Sequence, residues 1–347
     1  MRLGLDFGVS ATVIAASVPG RDTVTLEFLH ISRAFPASPG RPVHTVPSLV
    51  EYQGGKPVRF GGEVLRGGNA GAPSTARWLR RSLCDRSPVQ VPAGDGRMVR
   101  TEDAVSDLLL PLLSQACREY PGAGLTIALP PEAPDGYGEL LQRVARSAGI
   151  LSCSLVSEHD AALAGYGYSP AAGEPVVFLT FSETDIAVDV LARYPPSGTG
   201  AGGGSGLRVL AQATGPVSCR AIDSWIGQDL LRKFRLPESD PRAVRLMPQI
   251  LYEAARLREH LPADGEREVR LTDTVSTKNF AALCTTRDLA RVLADHEVIP
   301  ALEECISRAL SAVRMRGGDP GRVRSVFLLG AGCALPAVQE AVRSRFP

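Results

Sequence analysis

The chain has 347 residues, a length that predicts two domains or lobes rather than one core. Lys and Arg (38) balance Asp and Glu (37), 44% of the residues are hydrophobic, and only 5% are aromatic. This composition excludes wholesale disorder and disfavours both a nucleic-acid binder that relies on bulk charge and a platform for stacking single strands.

Targeting and metal signals are weak in this sequence. We find no apolar run of the roughly 18 residues that a membrane helix needs, and Asp6 stands where a signal peptide would stay apolar. Seven scattered cysteines without a C-x-x-C pair, and five histidines without metal spacing, favour a reducing compartment over a disulfide framework or zinc site. We therefore expect a cytoplasmic protein that binds neither membranes nor nucleic acids.

The first half alternates strand and helix patterns. Period-2 and period-3.6 spacing of apolar residues distinguishes the two. In chain order the pattern predicts strands at 3–8, 9–16, 24–29, 45–52 and 56–60, a basic helix at 76–83, a helix at 101–120, a strand at 125–129, a helix at 137–148, a strand at 151–156 and an Ala-rich helix at 160–165.

The second half repeats this order. It predicts a hairpin of 175–179 and 186–191, strands at 206–213, 268–271 and 326–329, and helices at 221–234, 243–260, 286–314 with a break near Pro300, and 336–345. The Gly-rich stretch 195–206 is interpreted as a flexible hairpin loop, because no Lys-Ser/Thr pair follows it as in a phosphate loop. Two similar α/β halves predict two lobes that enclose one cleft.

A polar turn follows the first strand. In the segment from Asp6 to Ser10, backbone N–H groups and the hydroxyls of Ser10 and Thr12 can approach phosphate oxygens, while Asp6 can hold a hydrated cation. An ordinary hairpin turn explains the same residues.

Three further segments each have two interpretations. Glu158 can orient a water molecule, whereas Asp160 two residues later can be a helix N-cap. Arg77 lies in a basic cluster with Arg80 and Arg81 that is either a solvated helix face or a phosphate or partner contact. The turn 330–336 lets a ring or sugar pack on bare backbone, or is only a close strand–helix junction.

Taken in order, these segments resemble the nucleotide-binding domain of DnaK-type chaperones, the heat-shock protein 70 family within the actin-like ATPase superfamily. The resemblance extends over essentially the whole chain. It rests on GLDFG at 4–8, TVPSLV at 45–50, ARWL at 76–79, ALP at 128–130, AGI at 148–150, EHDAALAGYG at 158–167 and LLGAGCALP at 328–336.

The resemblance implies a two-lobed actin-like ATPase fold, ribonuclease H-like, with four subdomains around a nucleotide cleft that binds ATP or ADP with Mg²⁺. Lobe I is expected at 1–172, with its core at 1–36 and 101–172 and a small subdomain at about 37–100. Lobe II is expected at 173–347, with its core at 173–217 and 307–347 and a small subdomain at about 218–306.

The family pattern also implies site residues. Asp6, Gly8, Ser10 and Thr12 take the phosphate role, and Asp6 also takes the metal role. Glu158 orients the attacking water, and Arg77 stands for the family's phosphate-binding lysine. Gly330 and Gly332 take the adenosine role. A helix that aligns only loosely with the family takes the adenine role, around Glu253, Arg256 and Arg258.

The chain departs from the family in the second phosphate loop, D-L-G-G-G-T, which falls on 180–185. Thr180 replaces the carboxylate that helps hold the metal's water shell, and Ser182, Glu183 and Thr184 replace the glycines. Side chains then occupy a turn where bare backbone touches phosphate, and Glu183 is expected to repel it. A second Gly pair, in G-G-E-D-F-D, is lost at 218–223.

These departures predict a DnaK-like protein that binds nucleotide weakly, is at best a weak ATPase, and acts as a partner-binding switch or scaffold. Because the sequence stops at Pro347, we expect no peptide-binding domain. An active Mg²⁺-dependent ATPase, chaperone-like or filament-forming, is the alternative, and a purely structural protein with an empty cleft is a third. The sequence does not identify the protein partner, and it is compatible with a homo-oligomer.

Overall fold

The computed structural model describes residues 1–38, 41–87, 89, 91–92, 98–194, 206–273 and 275–346. It is a mixed α/β structure of two compact units, Met1–Ala161 and Ala162–Pro347. The division falls within a helix, and the lobes expected at 1–172 and 173–347 stay a prediction. The four subdomains remain a prediction.

The first unit is built around one mixed sheet with helices packed against it. Its elements in chain order are β1 (Arg2–Phe7), β2 (Ala11–Ser17), β3 (Val24–Thr25), β4 (Arg33–Ser38), β5 (Arg41–Pro47), β6 (Val50–Gln53), β7 (Lys56–Phe60), α1 (Gly62–Arg66), β8 (Thr75–Ala76), α2 (Leu79–Cys84), α3 (Thr101–Glu119), β9 (Gly124–Leu129), α4 (Tyr137–Ser147), β10 (Cys153–Ser157) and α5 (Glu158–Gly165), which continues into the second unit.

The main sheet of this unit runs in the order β10-β9-β1-β2-β5-β4, and β3 pairs with β2. β1 and β2 form the predicted hairpin, while β9 pairs parallel to β1, and β10 parallel to β9. The carboxyl ends of β1, β9 and β10 therefore meet at one edge. Alternate residues of β1 (Leu3, Leu5 and Phe7) are buried in the core of this unit.

The second unit has a similar arrangement. Its elements are β11 (Pro175–Phe181), β12 (Ile186–Arg193), β13 (Leu207–Gly215), α6 (Cys219–Lys233), α7 (Pro241–Asp264), β14 (Glu266–Asp273), β15 (Lys278–Thr285), α8 (Thr286–Asp295), α9 (Val298–Met315), β16 (Ser325–Leu329) and α10 (Pro336–Arg345), with 3₁₀ turns at Pro320–Arg322 and Ala331–Ala334.

The sheet order is β13-β12-β11-β16, with β14 and β15 paired separately. Here too a hairpin, β11 and β12, has a later strand, β16, parallel to its first strand. The turns after β1 and after β11 thus occupy equivalent places in two sheets, and this topology confirms the similarity of the two halves.

Several predicted elements are corrected by the structure. Only Val24–Thr25 of the strand expected at 24–29 is a strand, and the strand at 45–52 is broken between Pro47 and Val50. The basic helix begins at Leu79 rather than 76, because Thr75–Ala76 pairs with β6 and Trp78 takes a left-handed conformation (φ 55°).

The long C-terminal helix breaks earlier than predicted. α8 ends at Asp295, and Glu297, with φ 50°, separates it from α9. Pro300 lies in the first turn of α9, where a missing N–H costs little. Strand β15 was not predicted, and residues 195–205 of the Gly-rich loop lie outside the described residues.

All seven thiols are free, and Cys219, Cys284, Cys305 and Cys333 are buried among apolar residues. Among the described helices, none combines the length and the apolar character required to cross a bilayer.

Candidate functional site

The turn between β1 and β2 presents bare backbone. The Gly8 N–H donates to the Ala11 carbonyl at 3.1 Å, and a Cβ on Gly8 would lie 2.3 Å from that oxygen, so only glycine fits without a shift. The side chains of Asp6 and Ser10 are exposed beside it. The predicted placement of these three residues around one turn is what the structure shows; phosphate binding by them stays a prediction.

Thr12 supports this turn from beneath. It is completely buried, and its hydroxyl lies 3.0 Å from that of Ser48. The Ser48 hydroxyl donates to the Gly8 carbonyl at 3.0 Å, and the Ser48 N–H donates to the Ser10 carbonyl at 2.8 Å. The TVPS segment thus fixes the shape of the turn. A direct contact of the Thr12 hydroxyl with phosphate stays a prediction.

Three acidic residues lie at or just beyond the carboxyl ends of the parallel strands of the first unit. Asp6 lies near the end of β1, Glu132 follows β9, and Glu158 directly follows β10. Arg80, from α2, bridges two of them: Nη1 lies 2.8 Å from Glu158 Oε1, and Nη2 donates to Glu132 Oε1 at 2.8 Å. Arg80 Nη2 also donates to Glu158 Oε2 at 3.4 Å, so both oxygens of Glu158 are engaged.

Burial controls the charge of this acidic cluster. Desolvation raises the pKa of Glu158 to about 7, with Arg80 opposing and Asp6 and Glu132 adding to the rise. The protein packed around Asp6 raises the pKa of that carboxyl as well, again opposed by Arg80. Because the Asp6 side chain is exposed to water, solvent screening limits the shift there.

Arg80 was not singled out from its neighbours in the sequence. Arg77, which we expected in the phosphate role, donates to the Ala70 carbonyl at 3.0 Å and lies over the Trp78 ring, 4.8 Å from its centroid. Arg81 is half exposed and pairs with Asp85, as a solvated helix face does. A signal for Arg80 existed, since acidic residues at the ends of neighbouring parallel strands favour a cation near them. The role of Arg77 stays a prediction.

Asp160 is not the N-cap of α5. The Ser157 hydroxyl accepts from the Asp160 N–H at 3.0 Å and donates to the Asp160 carboxylate. Ser157 is therefore the capping residue, and Asp160 completes the cap from the first turn. This arrangement fixes the start of α5, where Glu158 lies.

The turn between β11 and β12 is filled by its own side chains. The Ser182 hydroxyl accepts from the N–H groups of Thr184 (3.1 Å) and Asp185 (3.2 Å) and donates to the Asp185 carboxylate at 2.8 Å. The hydroxyl of Thr184 lies 3.0 Å from that of Ser182. These N–H groups, which a glycine loop would present to phosphate, already have partners. Thr180 precedes this turn, half-buried in β11.

Glu183 turns toward a buried arginine of the same unit. Arg258, from α7, is 1% exposed, and its Nη2 lies 3.5 Å from Glu183 Oε1. Its Nε donates to Asp223 Oδ1 at 2.7 Å. Desolvation raises the pKa of Glu183 to about 7, with Arg258 opposing. Glu183 thus faces a cation of its own unit; its repulsion of phosphate stays a prediction. Arg258 itself aligned only loosely in the sequence, and its importance was missed.

The turn after β16 is closely packed. Gly330 has φ 82°, and a Cβ there would lie 2.4 Å from the Phe181 carbonyl. At Gly332 a Cβ would lie 2.4 Å from the Phe181 ring. Phe181 therefore accounts for both glycines through packing within the second unit, which favours the close strand–helix junction. Their adenosine role stays a prediction.

The residues expected to contact adenine lie on α7. Arg256 donates to Glu253 at 2.9 Å, one turn apart, and its guanidinium lies 5.7 Å from the centroid of the Tyr252 ring. Both charged side chains are partly buried. The structure brings Glu253 and Arg256 together; their contact with adenine stays a prediction.

The described residues do not fit a resident Mg²⁺. In those parts of the chain no group of three or more His, Cys, Asp or Glu is placed to hold a metal ion. In the first unit, the positive charge of Arg80 acts on Asp6 and would repel a dication there. In the second unit, Thr180 offers no charge, and the Asp185 carboxylate accepts from Ser182 and Thr184.

Comparison with known proteins gives a distant relationship. No protein-family profile matches the chain. It is 25% identical, over 370 residues, to the chaperone protein HscA homolog of Pseudomonas aeruginosa strains LESB58, UCBPP-PA14 and PAO1, an alignment that covers 100% of this chain and 54% of each relative. The chain thus spans about half the length of these curated relatives. The similarity indicates a domain like that of the heat-shock protein 70 chaperones.

Proposed function

We propose that this chain is a DnaK-like nucleotide-binding protein that binds ATP or ADP weakly, hydrolyses ATP little or not at all, and acts as a switch or scaffold for a protein partner in the cytoplasm. The distant similarity to a chaperone supports a nucleotide-binding domain of this type. We expect no membrane or nucleic-acid partner, and the proposal is compatible with self-association.

The observation that supports weak hydrolysis is the filled turn of the second unit. Phosphoryl transfer depends on preorganised donors and charges aimed at the phosphates. Ser182 consumes two of the backbone donors, and Thr180 brings no carboxylate. In the first unit, Arg80 engages both oxygens of Glu158, so this carboxylate is poorly available to orient water.

The first test of this proposal is thermal unfolding with increasing ADP or ATP, combined with an assay of phosphate release. Because a ligand that binds only the folded state stabilises it by mass action, we expect a concentration-dependent rise in Tm. We expect phosphate release no faster than that of the Glu158→Ala variant. An unchanged Tm at millimolar nucleotide would contradict nucleotide binding.

An active ATPase is the second candidate, because one observation favours it. Glu158 has a pKa of about 7, which suits a group that exchanges protons near neutral pH. This candidate requires turnover that Glu158→Ala abolishes. A filament-forming variant of it also requires sedimentation that depends on ATP.

A further inference from the structure

Arg80 has an unusual environment for a surface helix. Its side chain is only 13% exposed, and it is held between Glu158 and Glu132. Its Nε–H is buried and lacks a hydrogen-bond partner among the described residues. A buried donor without a partner is rare, and a water molecule, an ion or a ligand atom can satisfy it.

The two acidic partners of Arg80 differ in exposure. Glu158 is 23% exposed and is gripped through both carboxylate oxygens, whereas Glu132 is 55% exposed and contacts Nη2 alone. Since exposed ion pairs contribute little, Glu132 is the partner that a ligand displaces most easily. When Glu132 is displaced, the Nε–Nη2 edge of the guanidinium is available. This edge can bind a phosphate through two parallel hydrogen bonds.

The same guanidinium lies where its charge acts on Asp6, the residue to which the family resemblance gives the metal role. Arg80 is a permanent cation in a fixed position, and it already offsets the negative charge of the cluster. It therefore supplies one positive charge that acts on Asp6.

We infer that Arg80 binds the nucleotide's phosphate through its Nε–Nη2 edge, in exchange for Glu132, and replaces the divalent cation, so that this chain binds nucleotide without Mg²⁺. The inference rests on the proposed function, because it concerns the phosphates of the same nucleotide. It differs from that function in the cation requirement.

The test is the Kd for ADP, measured by calorimetry on the full chain, in buffer with EDTA and in buffer with Mg²⁺. We expect the two values to agree within about threefold, less than 1 kcal/mol. A loss of about tenfold or more in EDTA would overturn the inference while leaving the proposed function intact. No binding in either buffer would overturn both.

Variants locate the effect. In EDTA, we expect Arg80→Gln to weaken ADP binding about tenfold or more, because a charge-assisted bidentate contact is lost. Arg81→Gln removes the same charge from the same helix and should change the Kd less than about twofold. Glu132→Gln should leave binding unchanged or tighter. Equal losses in Arg80→Gln and Arg81→Gln would overturn the inference.

Arg80→Lys is the control for a folding defect in Arg80→Gln. It retains the positive charge but lacks the planar fork, so we expect an intermediate Kd in EDTA at an unchanged Tm. A Kd equal to that of the wild type would contradict the bidentate contact.

Discussion

The turns after β1 and β11 occupy equivalent places in two similar sheets, yet they use their polar groups in opposite ways. In the first turn, the supporting hydroxyls of Thr12 and Ser48 lie beneath the backbone, and the outer surface keeps Gly8 bare and Ser10 exposed. In the second, Ser182 takes up the N–H groups from above. A side chain therefore occupies the N–H groups of Thr184 and Asp185, whereas the hydroxyls of Thr12 and Ser48 support the first turn from within.

The two buried arginines show the same difference. Arg80 has one acidic partner that is 55% exposed, whereas Arg258 is 1% exposed and lies between Asp223 and Glu183. Each of the two arginines has one buried nitrogen without a hydrogen-bond partner among the described residues. We therefore expect Arg258 to stabilise the second unit, whereas the ligand role that we propose for Arg80 depends on its exposed partner Glu132.

Arg258→Ala gives the largest expected effect. It leaves Asp223 and Glu183 without their buried cation, so we expect the free energy of unfolding to fall by about 3–5 kcal/mol. Urea unfolding measures this. Arg256→Ala, two residues away on α7, removes a partly exposed pair and should cost about 1 kcal/mol or less. Equal losses would contradict the assignment of Arg258.

Gly8→Ala breaks the first turn. Its Cβ would meet the Ala11 carbonyl, so we expect a loss of about 1–3 kcal/mol together with weaker ADP binding. Gly4→Ala is the matched control in β1, because no atom lies within 4 Å of the added Cβ. If Gly8→Ala and Gly4→Ala lower the Tm equally, the close approach at Gly8 does not constrain the turn.

The free energy of unfolding should depend on pH through Glu183, in the turn between β11 and β12. Its pKa rises from 4.5 to about 7 on folding, so the folded state favours the protonated form. That contribution is complete below about pH 4.5 and is lost as the pH rises through about 7. Between these limits we expect the wild type to lose about 1–2 kcal/mol more than Glu183→Gln, with pairing to Arg258 limiting the effect.

Urea unfolding at about pH 5 and about pH 7.5 measures this difference. Glu340→Gln, at an exposed position of α10, should keep the wild-type pH dependence. Identical pH dependence in the wild type and Glu183→Gln would contradict the burial of that carboxyl.

Local patterns predicted most of the fold. The two hairpins and the helices α3, α4 and α10 follow from alternation, helical spacing and the punctuation by Gly149 and Pro336. The start of α2 did not, because Thr75–Ala76 is recruited by β6, from a distant part of the chain. Strand β15 likewise depends on its pairing with β14.

The candidate site was predictable where the backbone defines it. Asp6, Gly8 and Ser10 lie together because they fall within five residues of the chain, around one turn. Arg80 and Arg258 depend on acidic partners that distant elements bring to them, so their importance appears only in three dimensions. The sequence showed that Ser182 replaces a glycine; its hydrogen bonds show that it closes the turn.

Ser10→Ala and Ser182→Ala test the contrast between the two turns most directly, through unfolding free energy and the Kd for ADP measured on both. We expect Ser10→Ala to change stability by less than about 0.5 kcal/mol and to weaken ADP binding about three- to tenfold. Ser182→Ala should cost about 1–2 kcal/mol of stability and leave the Kd within about twofold. Comparable weakening of ADP binding by the two variants would contradict the account.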